Sequence, residues 1–149
     1  MKYLVDTNVL VRLANHADSH YPIALNAVIV LHRQNVDLYI TPQNLIEFRN
    51  VATRPVSANG LGLTAIAAAA KAADFEIEFP LLEETNGIYS VWKAIVDALG
   101  IIGKRVHDAR LAAVCHIDKI DGILTFNGGD FQQISTLAPT LAIVDPATV

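Results

Sequence analysis

Short aliphatic runs alternate along the chain with longer segments in which apolar residues recur every three or four positions. The short runs predict strands over residues 2–5, 36–40, 123–125 and 141–144. The longer segments predict helices over residues 8–14, 21–34, 43–53, 63–73 and 82–99, and a further helix beginning near residue 107. This alternation is typical of an α/β domain in which helices cover both faces of a mainly parallel central sheet.

Proline and glycine mark where several of these elements begin and end. Thr41 and Pro42 provide an N-cap and a first-turn proline for the helix over residues 43–53. Small and polar residues at positions 57–62 predict the clearest loop in the chain. Apolar and acidic residues alternate over residues 75–79 before Pro80, which predicts a short edge strand there.

Length and composition exclude several classes of protein. A chain of 149 residues has the size of one domain, so we expect residues 1–149 to form a single domain. Cys115 is the only cysteine, which excludes an intrachain disulfide and favours a reducing, cytoplasmic location. No apolar run approaches the roughly 18 residues that span a bilayer, so no membrane association is expected.

The net charge of −4 argues against tight, non-specific binding to duplex nucleic acid. It does not exclude an enzyme that acts on nucleic acid, because metal ions held by acidic residues supply positive charge locally.

Side chains with carboxylate or amide oxygens occur within or beside four predicted elements. Asp6 follows the first strand, Glu47 lies in the helix after the second, Asp108 opens a helix, and Asn127 and Asp130 follow the third strand. Carboxylate and amide oxygens favour Mg²⁺ or Mn²⁺, whereas zinc favours cysteine and histidine pairs that are missing here. Such ions activate water and stabilise the leaving oxygen in phosphodiester hydrolysis, which indicates a nuclease.

Four segments resemble the successive acidic motifs of PIN domains. They begin at Leu4, Gln43, Val106 and Leu124 and read LVDTNVL, QNLIEF, VHDARLAA and LTFNGGDF. The order and separation of the segments match those motifs, and the resemblance covers essentially the whole chain. A single domain of this size resembles the VapC-type toxins of that family, which are the ribonuclease halves of toxin-antitoxin pairs.

The resemblance implies a PIN-like three-layer α/β/α sandwich and an endoribonuclease that depends on Mg²⁺ or Mn²⁺. It also implies an RNA substrate, a small antitoxin partner that suppresses cleavage, and a homodimer. Carried over to this sequence, it makes Asp6, Glu47 and Asp108 metal-binding acids and Thr125 a supporting hydroxyl.

The fourth acidic position departs from the pattern of the family. Asn127 stands where family members often have aspartate, so either Asp130 completes the site or the neutral amide of Asn127 does. Asn8 is expected to hydrogen-bond Asp6 and orient its carboxylate, as neighbours of metal ligands usually do.

Simpler structural roles exist for the same residues. Asp6 and Asp108 have positions suited to capping or opening a helix, and Glu47 could face solvent. Residues 127–130 are of types that favour turns. His107 is more simply a surface residue, and basic residues near the motifs either contact RNA phosphates or are ordinary solvated charges. These residues are Arg12, Arg49, Lys104, Arg105 and Arg110.

Two other functions stay open at this point. One is a PIN-like module that binds RNA or protein without catalysis, having lost metal affinity through Asn127. The other is an α/β phosphatase or receiver that forms an aspartyl phosphate. This second class is disfavoured because such phosphatases carry another aspartate at the position of Asn8.

Overall fold

The computed structural model describes residues 1–149 and contains a four-stranded sheet in which every neighbouring pair of strands is parallel. The strands lie in the order β2-β1-β3-β4. They are β1 (Lys2–Val5), β2 (Asp37–Tyr39), β3 (Gly122–Leu124) and β4 (Ala142–Val144). The helices are α1 (Thr7–Ala14), α2 (Tyr21–Arg33), α3 (Pro42–Thr53), α4 (Ala65–Glu78), α5 (Ile88–Leu99), α6 (Arg105–Asp118) and α7 (Gly128–Ser135). Two short 3-10 turns complete the chain, at Val56–Ala58 and Pro146–Thr148.

Helices cover both faces of the sheet because successive strand residues point to opposite sides. Tyr3 and Val5 belong to one buried cluster, together with residues of α1, α2, α3 and α4. Leu4 and Ile123 belong to a second cluster, with residues of α6 and α7. The α/β fold with a parallel sheet between two helical layers is therefore confirmed.

Residues 75–79 were predicted to form an edge strand, and that prediction is wrong. Helix α4 continues through Glu78. In a strand, Phe75, Ile77 and Phe79 would share one face, whereas in a helix positions 75 and 79 share a face that excludes position 77. Phe75 and Phe79 are buried while Ile77 is 84% exposed, so the four-residue spacing of the phenylalanines decided the structure.

Because Ile77 lies on the solvent side of α4, we expect Ile77→Lys to change the free energy of unfolding by no more than about 0.5 kcal/mol. Urea unfolding of the variant and the wild type measures the difference. A loss of several kcal/mol would contradict the helical placement of this residue.

The helix predicted over residues 82–99 begins later, at Ile88. Leu81 instead pairs with Ile40 in an isolated parallel bridge, and Gly87 occupies the N-cap position of α5. Trp92 donates its indole N–H to the carbonyl of Val106, 2.8 Å away, and packs on the second buried cluster. Core packing therefore accounts for part of the apolar spacing of α5, since Ile88 is buried and Trp92 is partly buried. None of the helices combines the length and hydrophobicity that crossing a bilayer requires.

The order of the strands determines where a ligand site is expected. The chain moves from β1 to β2 on one side of the sheet, and β3 and β4 lie on the other side of β1. In parallel sheets, a crevice forms at the carboxyl ends of two neighbouring strands when the chain leaves them toward opposite sides of the sheet. In this fold that point lies between the ends of β1 and β3, after Val5 and Leu124.

Candidate functional site

A cleft of about 950 Å³ opens at the carboxyl ends of the strands. Five acidic residues line it. Asp6, Glu47, Asp108 and Asp130 come from the four acidic motifs, and the fifth, Asp18, is paired with Arg12. Asn127 lines the same cleft, as does Asn8. The fold thus brings the acidic motifs of the sequence to one place, although they are separated by up to 124 positions along the chain.

Asp6 follows β1 directly and is 6% exposed. One carboxylate oxygen accepts the backbone N–H of Thr7 at 2.7 Å. The other accepts the amide of Asn8 and the hydroxyl of Thr125, each at 2.7 Å. Asp6 therefore has two roles at once, since it is the N-cap of α1 and an acid of the cleft.

Asn8 and Thr125 join the ends of β1 and β3 around Asp6. The amide nitrogen of Asn8 also donates to the Thr125 hydroxyl, and its oxygen accepts the backbone N–H of Phe126. The Thr125 oxygen accepts the backbone N–H of Asn127 in addition. This network holds the Asp6 carboxylate in one orientation, which is the arrangement expected from the sequence for Asn8.

Glu47 lies on α3, and two side chains hold its two carboxylate oxygens. The hydroxyl of Thr7 donates to one oxygen at 2.7 Å, and the amide of Gln43 donates to the other at 2.8 Å. Asn44 in turn donates to the Thr7 hydroxyl and forms a capping box with Thr41. Glu47 is thus not simply a solvated residue on a helix surface.

Sequence reasoning gave no role to Thr7 or Gln43, although both contact Glu47. Gln43 lies four residues before Glu47 on the same helix, a spacing that places two side chains on one face. That spacing was the available signal for Gln43. The contact of Thr7 with Glu47 spans 40 residues and had no local signal.

Asp108 lies in the first turn of α6 and is partly buried. The pKa of Asp108 is raised to about 7, first by burial and then by the charges of Asp6, Asp130 and Glu47, while Arg105 opposes the shift. Burial likewise raises the pKa of Asp6 to about 6, against the hydrogen bonds from Thr125 and Thr7. The carboxylates of the cleft therefore repel one another, as expected for acids that share one site.

The two candidates for the fourth position both lie beside the cleft. Asn127 occupies the N-cap position of α7, but its side chain makes no capping hydrogen bond. Asp130 lies in the first turn of α7, and its charge raises the pKa of both Asp6 and Asp108. The segment predicted as a turn opens helix α7, and both residues line the cleft.

Only some of the basic residues near the motifs are available to a ligand in the cleft. Arg12 and Lys104 line it, and Arg12 pairs with Asp18 at 2.6 Å. Arg110 instead bonds to Glu84 and Gln43, and Arg105 donates to the backbone carbonyl of Asp130. Arg49 is exposed outside the cleft, while His107 is exposed and lines it.

The acids do not form a closed ligand group. No three histidine, cysteine, aspartate or glutamate side chains lie close enough together to bind one metal ion as they stand. Binding of a shared ion would require Asp108 or Asp130 to move toward the carboxylates of Asp6 and Glu47, which are held by hydrogen bonds.

Comparison with solved structures shows where else this fold occurs. VapBC-1 from nontypeable Haemophilus influenzae superposes with a TM-score of 0.71 at 17% identity, covering 98% of each chain. VapBC2 from Rickettsia felis, bound to a DNA fragment from its promoter, gives 0.69 at 17% identity and covers 97% of this chain and 98% of that one. VapC20 from Mycobacterium tuberculosis, a sarcin-ricin loop cleaving toxin, gives 0.63 at 19% identity with coverage of 86% and 92%.

These identities are low, so the likeness concerns the fold. No curated protein sequence matches the chain. The family model of the PIN domain matches residues 3–137, which includes every acid of the cleft. The chain therefore belongs to the PIN domain family.

Proposed function

We propose that this protein is an endoribonuclease that depends on Mg²⁺ or Mn²⁺ and acts as the toxin of a toxin-antitoxin pair. The observation that carries the proposal is the convergence of Asp6, Glu47, Asp108 and Asp130 in one cleft. Membership of the PIN domain family and a fold shared with VapC20, named as a cleaving toxin, support it.

The donor set fits a hard divalent cation. All four acids offer carboxylate oxygens, and Asn127 adds an amide oxygen at the same cleft. Burial raises the pKa of Asp6 and Asp108 most, and repulsion between the acids adds to it; a bound cation would relieve that repulsion. Asp6, Glu47, Asp108 and Asp130 are therefore the residues proposed to hold the ion, with Asn127 beside them.

When bound, the ion supplies the Lewis-acid chemistry of phosphodiester hydrolysis, which is charge neutralisation at the phosphate and activation of water. The contribution of the protein is to orient the carboxylates that would hold the ion. Three donors hold the Asp6 carboxylate and two hold that of Glu47, so these groups have little freedom to lose on binding. Lys104 adds positive charge at the margin of the cleft, where it is placed to contact an RNA phosphate.

An antitoxin and a second copy of the chain are the proposed partners. Support for them comes from the VapC-type resemblance of the motifs and from fold neighbours described as VapBC. Sedimentation of the purified chain measures self-association, and a strict monomer at high concentration would contradict the homodimer. A cytoplasmic location, expected from the single cysteine, stays a prediction.

The two other functions suggested by the sequence have less support. The position where aspartyl-phosphate phosphatases carry a second aspartate is Asn8, and its amide is committed to Asp6, Thr125 and Phe126. A non-catalytic module would not need a set of repelling acids in one cleft, since burial of unpaired charge costs stability. Neither function is proposed.

The experiment is cleavage of a panel of structured RNAs by the purified protein in Mg²⁺, Mn²⁺ or EDTA. We expect cutting with either metal, loss of cutting in EDTA, and recovery when Mn²⁺ is added in excess. Asp6→Ala, purified in parallel, controls for contaminating ribonuclease, and Asp74→Asn on the exposed side of α4 controls for loss of a carboxylate elsewhere. Equal cutting in EDTA and Mn²⁺, or by Asp6→Ala, would contradict the proposal.

A further inference from the structure

Gln43 connects the two helices that carry Glu47 and Asp108. Its side chain is 8% exposed and lies between α3 and α6. The amide nitrogen donates to the Glu47 carboxylate at 2.8 Å and to the backbone carbonyl of His107 at 2.9 Å. His107 immediately precedes Asp108, so one amide group contacts Glu47 and the backbone next to Asp108.

Arg110 determines which way this amide points. Its guanidinium donates to the side-chain oxygen of Gln43 at 3.1 Å and to Glu84 at 2.6 Å. A guanidinium has only donors, so it must face the oxygen of Gln43. The nitrogen of Gln43 then faces two acceptors, and every hydrogen bond of the amide has a partner of the correct kind.

We propose that Gln43 is a positioning residue, oriented by Arg110, that sets the placement of Glu47 relative to Asp108 for binding a divalent ion. The proposal rests on the proposed function. Thr7 and Gln43 hold separate oxygens of Glu47, so removal of Gln43 leaves one oxygen without a donor and the carboxylate free to turn. Loss of such a supporting contact typically weakens metal binding by about 10- to 100-fold.

Calorimetric titration with Mn²⁺ tests the proposal without any RNA. We expect Gln43→Ala to raise the dissociation constant for Mn²⁺ at least about 10-fold. Gln34→Ala is the matched control, because Gln34 is an exposed glutamine at the end of α2 and makes no side-chain hydrogen bond within the chain. It should bind Mn²⁺ as the wild type does.

Cleavage assays separate a positioning role from a general structural one. For Gln43→Ala we expect the Mn²⁺ concentration giving half-maximal cleavage to rise about 10-fold, with a rate at saturating Mn²⁺ within a few-fold of wild type. A merely structural role would lower the saturating rate and leave the half-maximal concentration unchanged. That pattern would overturn the proposal.

Two further variants keep the test independent of the folding of Gln43→Ala. Gln43→Leu retains the buried volume and removes the hydrogen bonds, so it should show the same loss of Mn²⁺ affinity. Arg110→Ala alters a partly exposed side chain and should weaken Mn²⁺ binding by a few-fold in the wild-type background. In the Gln43→Ala background, Arg110→Ala should cause no further loss of Mn²⁺ affinity, because the effects of residues that act through one contact are not additive.

Failure of this inference is distinguishable from failure of the proposed function. If the wild type binds Mn²⁺, Asp108→Asn loses binding and Gln43→Ala and Gln43→Leu bind normally, the positioning role is wrong and the metal site stands. If the wild type does not bind Mn²⁺, both proposals are overturned.

Discussion

Replacing Asp108 with asparagine should lower the rate of metal-dependent RNA cleavage by at least about 10-fold and up to 100-fold or more. The side chain keeps its shape and its position in the first turn of α6, but it loses the negative charge that a divalent ion requires. Direct ligands cost at least as much to remove as the groups that support them, which sets the lower bound. Initial cleavage rates at saturating Mn²⁺ measure the effect.

The matched control for this substitution is Asp74→Asn, which removes a carboxylate that is 67% exposed on α4. That variant should cleave like the wild type. Thermal unfolding of both variants shows whether they are folded. A folded Asp108→Asn protein with wild-type cleavage would refute a metal-binding role for this residue.

The protein in EDTA should be more stable at pH 5.5 than at pH 8. The folded chain holds protons on Asp6 and Asp108 up to about pH 6 and pH 7, whereas an ordinary aspartate, with a pKa of 3.8, releases its proton earlier. Between pH 5.5 and pH 8, unfolding therefore releases protons. The free energy of unfolding falls as the pH rises across this range. We expect a loss on the order of 2 to 4 kcal/mol, or roughly 5–10 °C in Tm.

Asp108→Asn isolates the share of this effect that belongs to one carboxyl. The variant has no proton to release at position 108, so its Tm should fall less between pH 5.5 and pH 8. At pH 8 it should be more stable than the wild type, because one of the repelling charges is gone. If Tm falls equally with pH in the wild type and in Asp108→Asn between pH 5.5 and pH 8, the raised pKa of Asp108 is contradicted.

The parallel sheet was predictable because its strands are short aliphatic runs bounded by polar residues. The position of Asp6 followed from the same pattern, since a residue directly after a buried strand lies at the edge of the sheet. The helical structure of residues 75–78 was not predictable with equal ease, because the apolar residues at positions 75–79 satisfy the strand period and the four-residue helical spacing alike. Only packing of Phe75 on Phe48, with ring centroids 5.1 Å apart, separates the two.

The acids of the site were also easier to predict than the groups that hold them. Asp6, Asp108 and Asp130 lie close to a recognisable strand or helix boundary and Glu47 lies within a recognisable helix. The hydrogen bonds of Gln43, in contrast, cross to His107 and Arg110, which are more than 60 positions away. Such contacts depend on how α3 and α6 approach each other. No local pattern in the sequence carries that information.

We propose above all that the acids of the cleft together bind a divalent metal ion. The most direct measurement is the anomalous difference map of a crystal of the wild-type protein grown with Mn²⁺. The account predicts a peak within about 2.5 Å of carboxylate oxygens from at least two of Asp6, Glu47, Asp108 and Asp130. A cleft without such a peak at saturating Mn²⁺, or a peak bound only by residues outside it, would contradict the account.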